Sequence, residues 1–257
     1  MLNIVIPMAG AGSRFSNAGY KDPKPFIKVH DMPMIELVIK NLSPTFEHRF
    51  IFICQTMHVH KYEFDKKLKS LSANCDIVMT NGLTEGAACS VLLAKNLINN
   101  NDELMIANSD QFIDIDINTY LKYQSDKCLD GLIMTMWADD PKWSFAEVDQ
   151  NNLVTKVVEK EVISNEATVG IYNFRCGSDF VIAAEEMIKK DLRVNNEFYV
   201  APTYNQLVAQ NKKIGIYNVG EVSKGMYGLG TPDDLNLFIE SDISRETLIK
   251  YNENNIS

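Results

Sequence analysis

Apolar residues in this 257-residue chain gather in two alternating kinds of segment. At positions 2–8, 50–54, 76–79 and 104–107 they form short, nearly continuous runs rich in β-branched side chains. Such runs are expected of parallel strands covered on both faces. Between them, apolar positions recur with the spacing of one helical face, predicting helices over 34–42, 58–71, 86–97 and 117–124. Strand and helix in strict alternation imply a parallel, doubly wound sheet. The second half is more mixed. Strands are expected at 132–137, 145–148, 153–159 and 169–174, with turn residues such as Asp149-Gln150-Asn151-Asn152 between them. Helices are expected at 178–189 and 198–209, a strand at 213–219, and a last helix from Pro232 with Thr231 as its cap. The chain therefore reads as one domain, 1–257, with a nucleotide-type half (1–125) followed by a half (126–257) that would take a second substrate and ends in a helix.

Composition changes this picture little. Hydrophobic residues make up 46% and charged residues 23%, ordinary values for a folded domain. The net charge of −9 argues against a general nucleic-acid surface, so phosphates would have to be held by a few local cations. Five cysteines, an odd number with no CxxC pair, read as reduced structural thiols. The opening residues carry no basic n-region, and no apolar run is long enough to span a membrane. The expectation is a soluble cytoplasmic protein with no membrane or nucleic-acid partner; a homo-oligomer is left open.

The chemistry concentrates after the first strand, at Ala9-Gly10-Ala11-Gly12-Ser13-Arg14-Phe15. Small residues there let backbone N–H groups approach a phosphate closely. A P-loop would need Gly-Lys-[Ser/Thr], which is absent, and a dinucleotide fingerprint would need a small residue where Phe15 stands. A plain tight turn or a phosphate loop with Arg14 as a built-in cation remain. Ten residues on, Pro23-Lys24-Pro25 sets a lysine between two prolines, which disfavour helix and predict an extended, rigid presentation. Asn108-Ser109-Asp110 follows the run 104–107. A carboxylate beyond a buried strand stands where ligands bind in such sheets, although a turn or cap aspartate would look the same.

The combination of glycine loop and Pro-Lys-Pro resembles the sugar-phosphate nucleotidyltransferases, a family that includes glucose-1-phosphate thymidylyl-, uridylyl- and cytidylyltransferases. Their signature is Gly-x-Gly-[Ser/Thr]-Arg-[Leu/Phe/Met] after a strand, then Pro-Lys-[Pro/Gln/Ala]. The resemblance runs to about residue 235 and is closest over the first 110. It implies a GT-A-like, three-layer α/β/α fold with a mostly parallel twisted sheet. It also implies an enzyme of nucleotide-sugar and polysaccharide biosynthesis, which joins an NTP to a phosphorylated acceptor and releases pyrophosphate with Mg²⁺ as cofactor. By that likeness Ala9, Gly10, Ala11, Gly12 and Ser13 cradle the nucleotide. Arg14 holds the β- and γ-phosphates, Lys24 touches the reacting phosphates, and Asp110 holds the metal. Gln55, Gly82, Glu85 and Gly86 border the base, a pyrimidine with cytosine favoured. Lys160 grips the acceptor's phosphate and Glu159 orients a hydroxyl; Trp143 and Asn196 complete the acceptor side.

Three departures stand out. The family's second metal aspartate, expected shortly before a Thr-Pro helix start, falls on Gly228 or Gly230 here. The family's Glu-Lys-Pro is Glu159-Lys160-Glu161, and its Tyr-Gly near the sugar is replaced around Trp143-Ser144-Phe145-Ala146. Two other readings share some of these features. A GT-A glycosyltransferase would use a paired-carboxylate metal motif and a nucleotide-sugar; a nucleotide sensor would bind NTP without turnover. His58 and His60, two apart, would not share a helix face and make a poor metal pair.

Overall fold

The structure, a computed structural model, describes residues 1–253, so residues 254–257 of the expected domain lie outside the described residues. Strands are numbered along the chain: β1 (Leu2–Pro7), β2 (Lys28–Val29), β3 (Met32–Pro33), β4 (His48–Gln55), β5 (Cys75–Thr80), β6 (Glu103–Ala107), β7 (Gln111–Ile113), β8 (Gly131–Trp137), β9 (Ser144–Val148), β10 (Val154–Glu159), β11 (Glu166–Phe174), β12 (Ile214–Val222) and β13 (Gly225–Gly228). The main sheet runs β5-β4-β1-β6-β11-β8-β12-β13-β7, with β9 joined to β11 and to β10. Strands β5, β4, β1 and β6 are mutually parallel, as are β8, β12 and β13. β11 lies antiparallel between β6 and β8, and β7 antiparallel to β13. The mostly parallel three-layer α/β/α fold expected from the sequence is the one observed.

Period-two alternation builds the layers. In β1, Leu2, Ile4 and Ile6 join one buried cluster with Ile35, Val38 and Ile39 of helix Met34–Leu42, while Val5 joins another with Val91, Ile98 and Phe180 on the opposite face. A third cluster contains Phe15, Met34, Phe112, Leu229, Leu235 and Phe238. It ties the helix after the glycine loop (Ser13–Asn17) to β7 and to helix Pro232–Glu240. The cluster therefore fixes the base of the glycine loop and the approach to Gly230. Thr231 caps that helix as expected, its hydroxyl accepting from the Asp234 N–H at 3.1 Å. Asp116 does the same for helix Ile117–Asp126, accepting from Asn118 N at 2.9 Å.

Several predicted elements differ. The helix expected over 58–71 is two helices, Thr56–Tyr62 and Phe64–Leu71, because Glu63 takes a left-handed conformation (φ 53°). The one expected over 86–97 is likewise split into Ala87–Leu92 and Lys95–Ile98. Over 198–209, Phe198 is not helical; a 3₁₀ turn at Ala201–Thr203, where Pro202 offers no N–H, leads into helix Tyr204–Ala209. Lys24 is not extended but opens a single 3₁₀ turn, Lys24–Phe26, closed by Phe26 N–H to Pro23 O at 2.8 Å. The turn tolerates Pro25 because its missing N–H falls in the first turn, where no partner is needed. Strands β7 and β13, too short and glycine-broken to show a period, were not anticipated.

Candidate functional site

A cleft of about 380 Å³ opens at the carboxyl ends of β1 and β6. Its lining includes Gly10, Ala11 and Gly12 of the loop, Lys24, Asn108 and Asp110. The glycine loop and Pro-Lys-Pro thus meet, as do Lys24 and the strand-end carboxylate: the Lys24 ammonium donates a short hydrogen bond to Asp110 Oδ2. Gly12 is left-handed (φ 62°), and a Cβ there would come within 3.6 Å of the Lys24 Cβ. This is the position in the loop where glycine is required by conformation. Arg14 and Ser13 are exposed on the helix after the loop and do not line the cleft. Ala9 is buried beneath the loop, and its carbonyl accepts from Gln55 Nε2 at 2.6 Å. Gln55, expected to read a base edge, thus spends its amide on holding the loop.

Gly230 stands beside the Lys24–Asp110 pair, outside the lining of the cleft. Leu229 N–H donates to Asp110 O at 2.8 Å, continuing the β7–β13 pairing, and a Cβ on Gly230 would stand 2.8 Å from Asp110 Oδ2 and 3.9 Å from Lys24 Nζ. Gly228 instead lies beside Asp234, whose carboxylate is about 3.8 Å from a Cβ built there. Of the two glycines, Gly230 is the one that stands beside Asp110. Among the described residues no group of three or more His, Cys, Asp or Glu side chains is arranged to hold a metal. One carboxylate beside an open cleft fits Mg²⁺ only where phosphate oxygens and water supply the other ligands.

On the base side, Gly86 has φ 127°, and a Cβ there would lie 2.5 Å from Phe198 O. Phe198 N–H bonds to Glu85 O at 2.7 Å and Ala88 N–H to Phe198 O at 3.0 Å. The small residues here serve close backbone packing first. The Glu85 side chain is largely exposed and pairs with Arg193 at 3.2 Å. Gly82 accepts through its carbonyl from the Thr80 hydroxyl at 3.2 Å. Gly82, Glu85 and Gly86 are outside the lining of the first cleft.

A second cleft of about 260 Å³ adjoins the first, and Asn108 lines both. Gly170 (φ 82°) makes this junction, since a Cβ there would strike the Asn108 amide at 2.1 Å. Trp143 and Glu159 line the second cleft together with Ser144, Thr168, Tyr172 and Tyr199; Lys160 does not. Pairing of β9 with β10 sets Ser144 opposite Glu159, and the buried hydroxyl donates to the buried carboxylate. Burial pushes the Glu159 carboxyl above its usual range, against the Ser144 hydrogen bond and the nearby Lys160 charge. Burial likewise raises the Tyr172 phenol, whose oxygen lies 2.9 Å from Thr168 Oγ1. At the mouth, Lys142 sits over the Trp143 ring at 5.2 Å. Lys160 donates to Tyr199 OH at 3.0 Å, the chief cause of its raised pKa. Asn196 is elsewhere: with Asn195 it forms an exposed two-residue turn of positive φ, closed by the Val194–Glu197 backbone pair.

Sequence reasoning did not single out Thr168 and Tyr172 of the second cleft, nor Tyr20, Lys21 and Tyr62 of the first, and weighed His58 only as half of a metal pair. The hydroxyls on β9 and β11 alternate inward, a signal that was present but reads as ordinary strand patterning. His58 lines the cleft, whereas His60 is exposed outside it. Cys54 is buried, and burial pushes its thiol up to about 12.

Fold and clefts together define a three-layer α/β protein with paired clefts at the carboxyl ends of its parallel strands. The chain belongs to the nucleotidyl transferase family, whose model matches residues 4–216. It is 22% identical over 176 residues to the bifunctional protein GlmU of Methanocaldococcus jannaschii, a match to 67% of this chain and 40% of that protein. For the GlmU of Methanococcus maripaludis strain C5 the figures are 24% over 180 residues, 68% and 40%. The chain thus spans well under half the length of these curated relatives. A nucleoside-diphosphate-sugar pyrophosphorylase from Vibrio cholerae RC9 superposes with a TM-score of 0.76 at 25% identity, covering 93% of this chain and 100% of that one. The inositol-1-phosphate CTP transferase of T. maritima superposes with a TM-score of 0.70 at 15% identity, over 95% and 94% of the chains, a likeness of fold. No described helix is long and apolar enough to cross a membrane.

Proposed function

We propose that the protein is a sugar-phosphate-type nucleotidyltransferase that joins an NTP, with CTP the favoured candidate, to a phosphorylated small molecule. The single observation that carries this reading is the convergence of the glycine loop, Lys24 and Asp110 on one cleft that opens through Asn108 into a second, hydroxyl-lined cleft. The first would take the triphosphate and the second the acceptor. A phosphate oxygen of the acceptor attacks the α-phosphorus; the bond from that phosphorus to the bridging oxygen breaks, and pyrophosphate departs with the bonding electrons. No strong base is required, because a phosphate monoester with its second pKa near about 6 is already dianionic at neutral pH. The barrier is mutual repulsion of anions and charge growth on the leaving group, so fixed cations and alignment supply the catalysis.

In this scheme Lys24 exchanges its pairing with Asp110 for the reacting phosphates. The loop N–H groups would cradle the rest of the triphosphate; Arg14, outside the cleft lining, would have to reach the phosphates from the exposed helix after the loop. Asp110 would hold Mg²⁺, which when bound neutralises phosphate charge. Lys142, which lines the second cleft, and Lys160, bonded to the lining Tyr199, would receive the acceptor's phosphate, while Glu159, Ser144 and Tyr172 would meet its neutral polar groups. Gln55 positions the loop. The test is pyrophosphate release from each NTP against a panel of phosphorylated sugars, polyols and other metabolites, with products identified by mass spectrometry. One NTP–acceptor pair should yield pyrophosphate and a diphosphate-linked product. NTP binding without release would instead make the protein a sensor. Consumption of a nucleotide-sugar with NTPs ignored would make it a glycosyltransferase.

A further inference from the structure

His58 lines the first cleft, yet neither the glycine signature nor the mechanism uses it. Helix Thr56–Tyr62 follows β4 directly, so the strand that delivers Gln55 to the loop also delivers His58 to the cleft wall. Its ring is held by neighbours: centroids lie 5.9 Å from Tyr62 and 5.8 Å from Phe64. Its nitrogens, however, make no hydrogen bond among the described residues. His30 bonds to the Ser244 hydroxyl at 2.7 Å and His48 to Phe46 O at 2.8 Å. A held ring with free nitrogens, facing a cleft built for phosphates, has its partner in the ligand.

We infer that His58 is a phosphate-binding residue of this cleft that takes up a proton when pyrophosphate, or the pyrophosphate end of an NTP, binds. The inference rests on the nucleotidyltransferase reading and adds a ligand and a proton linkage to it. The charges around the imidazole explain the direction. Lys61 and Tyr62 share its helix; Lys67, from the next helix, lies over the Phe26 ring, which packs on Phe64. The cleft itself presents Lys21, Asp22, Lys24 and Asp110. Burial, and after it the Lys61 charge, disfavours a further positive charge and lowers the imidazole's pKa. A polyanion in the cleft reverses that balance and stabilises the imidazolium, which donates from both nitrogens. Pyrophosphate affinity therefore carries a component that is full at low pH and is lost as pH rises through the bound-state pKa of His58.

The experiment is calorimetric titration of the full chain with inorganic pyrophosphate in two buffers of different ionisation enthalpy, from pH 5.5 to 8.5. It is done for the wild type, His58→Gln and His60→Gln, with ring-proton NMR of the histidines in parallel. The ligand's own titration cancels in the difference between proteins. The wild type and His60→Gln should take up more protons than His58→Gln below neutrality. One unit of pKa rise on binding corresponds to about a tenfold affinity advantage at low pH, vanishing at the alkaline end. The NMR titration of the wild type tests the same point if His58→Gln folds poorly, since the His58 signal should shift its midpoint upward with pyrophosphate present. Pyrophosphate binding with equal proton uptake by all three proteins and an unmoved His58 midpoint would overturn the inference while leaving the cleft's assignment intact. Absence of pyrophosphate binding at any pH would bring down the nucleotide reading and this inference with it.

Discussion

Replacing Lys24 by alanine separates what this side chain does for the fold from what it does for the reaction. The Lys24 and Asp110 side chains are 21% and 26% exposed, so their ion pair is neither a free surface pair nor fully desolvated. Surface pairs contribute about 0–1 kcal/mol, and losing one partner of a fully buried pair costs about 3–5 kcal/mol. This pair, open to a water-filled cleft, belongs near the lower range, at roughly 1 kcal/mol. Catalytically the loss is larger. A fixed positive charge aimed at phosphates under reaction acts where charge develops, and removing one preorganised stabiliser typically costs about 10²–10³ in turnover. Lys24→Ala should therefore lose at least about a hundredfold in kcat/KM for pyrophosphate release. Its urea midpoint should move by no more than the roughly 1 kcal/mol of an exposed pair. Arg14→Ala, at an exposed position outside the cleft lining, should lose less and chiefly through KM. Steady-state pyrophosphate assays and urea melts on the same preparations decide it. A Lys24→Ala enzyme within threefold of wild type would refute the reasoning, as would one whose activity loss merely tracked unfolding.

Glu159→Gln tests the buried carboxyl of the second cleft. Because its folded pKa is raised, Glu159 favours the native state below the unfolded value of about 4.3 and loses that contribution as pH rises through the folded value. The amide should thus melt relatively higher against wild type at pH 8 than at pH 4, in calorimetric scans, while acceptor KM rises; an equal loss of Tm at both pH values would reject the assignment. Gly230→Asp tests the vacant carboxylate position. A Cβ there would crowd Asp110 Oδ2 at 2.8 Å and approach Lys24 Nζ at 3.9 Å, so the Asp110 side chain has to shift, and the variant should create a two-carboxylate site. At ten times its Kd, Mg²⁺ would then stabilise the nucleotide-free variant by about 1.4 kcal/mol, or roughly 3–6 °C in Tm, against little for wild type; equal metal shifts in both proteins would exclude it.

The parallel half of the fold was legible because its signals are local and redundant. Leu2–Pro7 is buried along almost its whole length, and helix Met34–Leu42 shows an apolar stripe from end to end. Glu63 illustrates the opposite case. Its left-handed conformation divides a continuous helical pattern, yet glutamate gives no hint of it; tertiary packing of Phe64 and Leu68 decides. Asn196 lies in an exposed turn outside the second cleft's lining for a related reason. Asn-Asn is a turn signal whose geometry satisfies both residues, and polar composition alone does not separate a turn from a binding loop. Trp143 and Glu159 were found through the resemblance, whereas Ser144, Thr168 and Tyr172 become visible only when β9 and β11 pair and turn their hydroxyls to one cavity.

Gly230 shows why the departures from the family pattern carry more information than the agreements. A missing aspartate in a sequence says only that a ligand is absent. In the fold, the missing side chain is what gives the Asp110–Lys24 pair its room, because a Cβ at 230 would press on the very oxygen that Lys24 engages. A second carboxylate there would also compete with phosphate for the Lys24 ammonium. With one carboxylate, the cleft holds charge closer to balance before any ligand enters; under the proposed function a triphosphate would bring the remaining metal ligands and draw Lys24 from Asp110. The lone aspartate and the lysine paired with it thus describe one electrostatic arrangement, which in that proposal the substrate would complete.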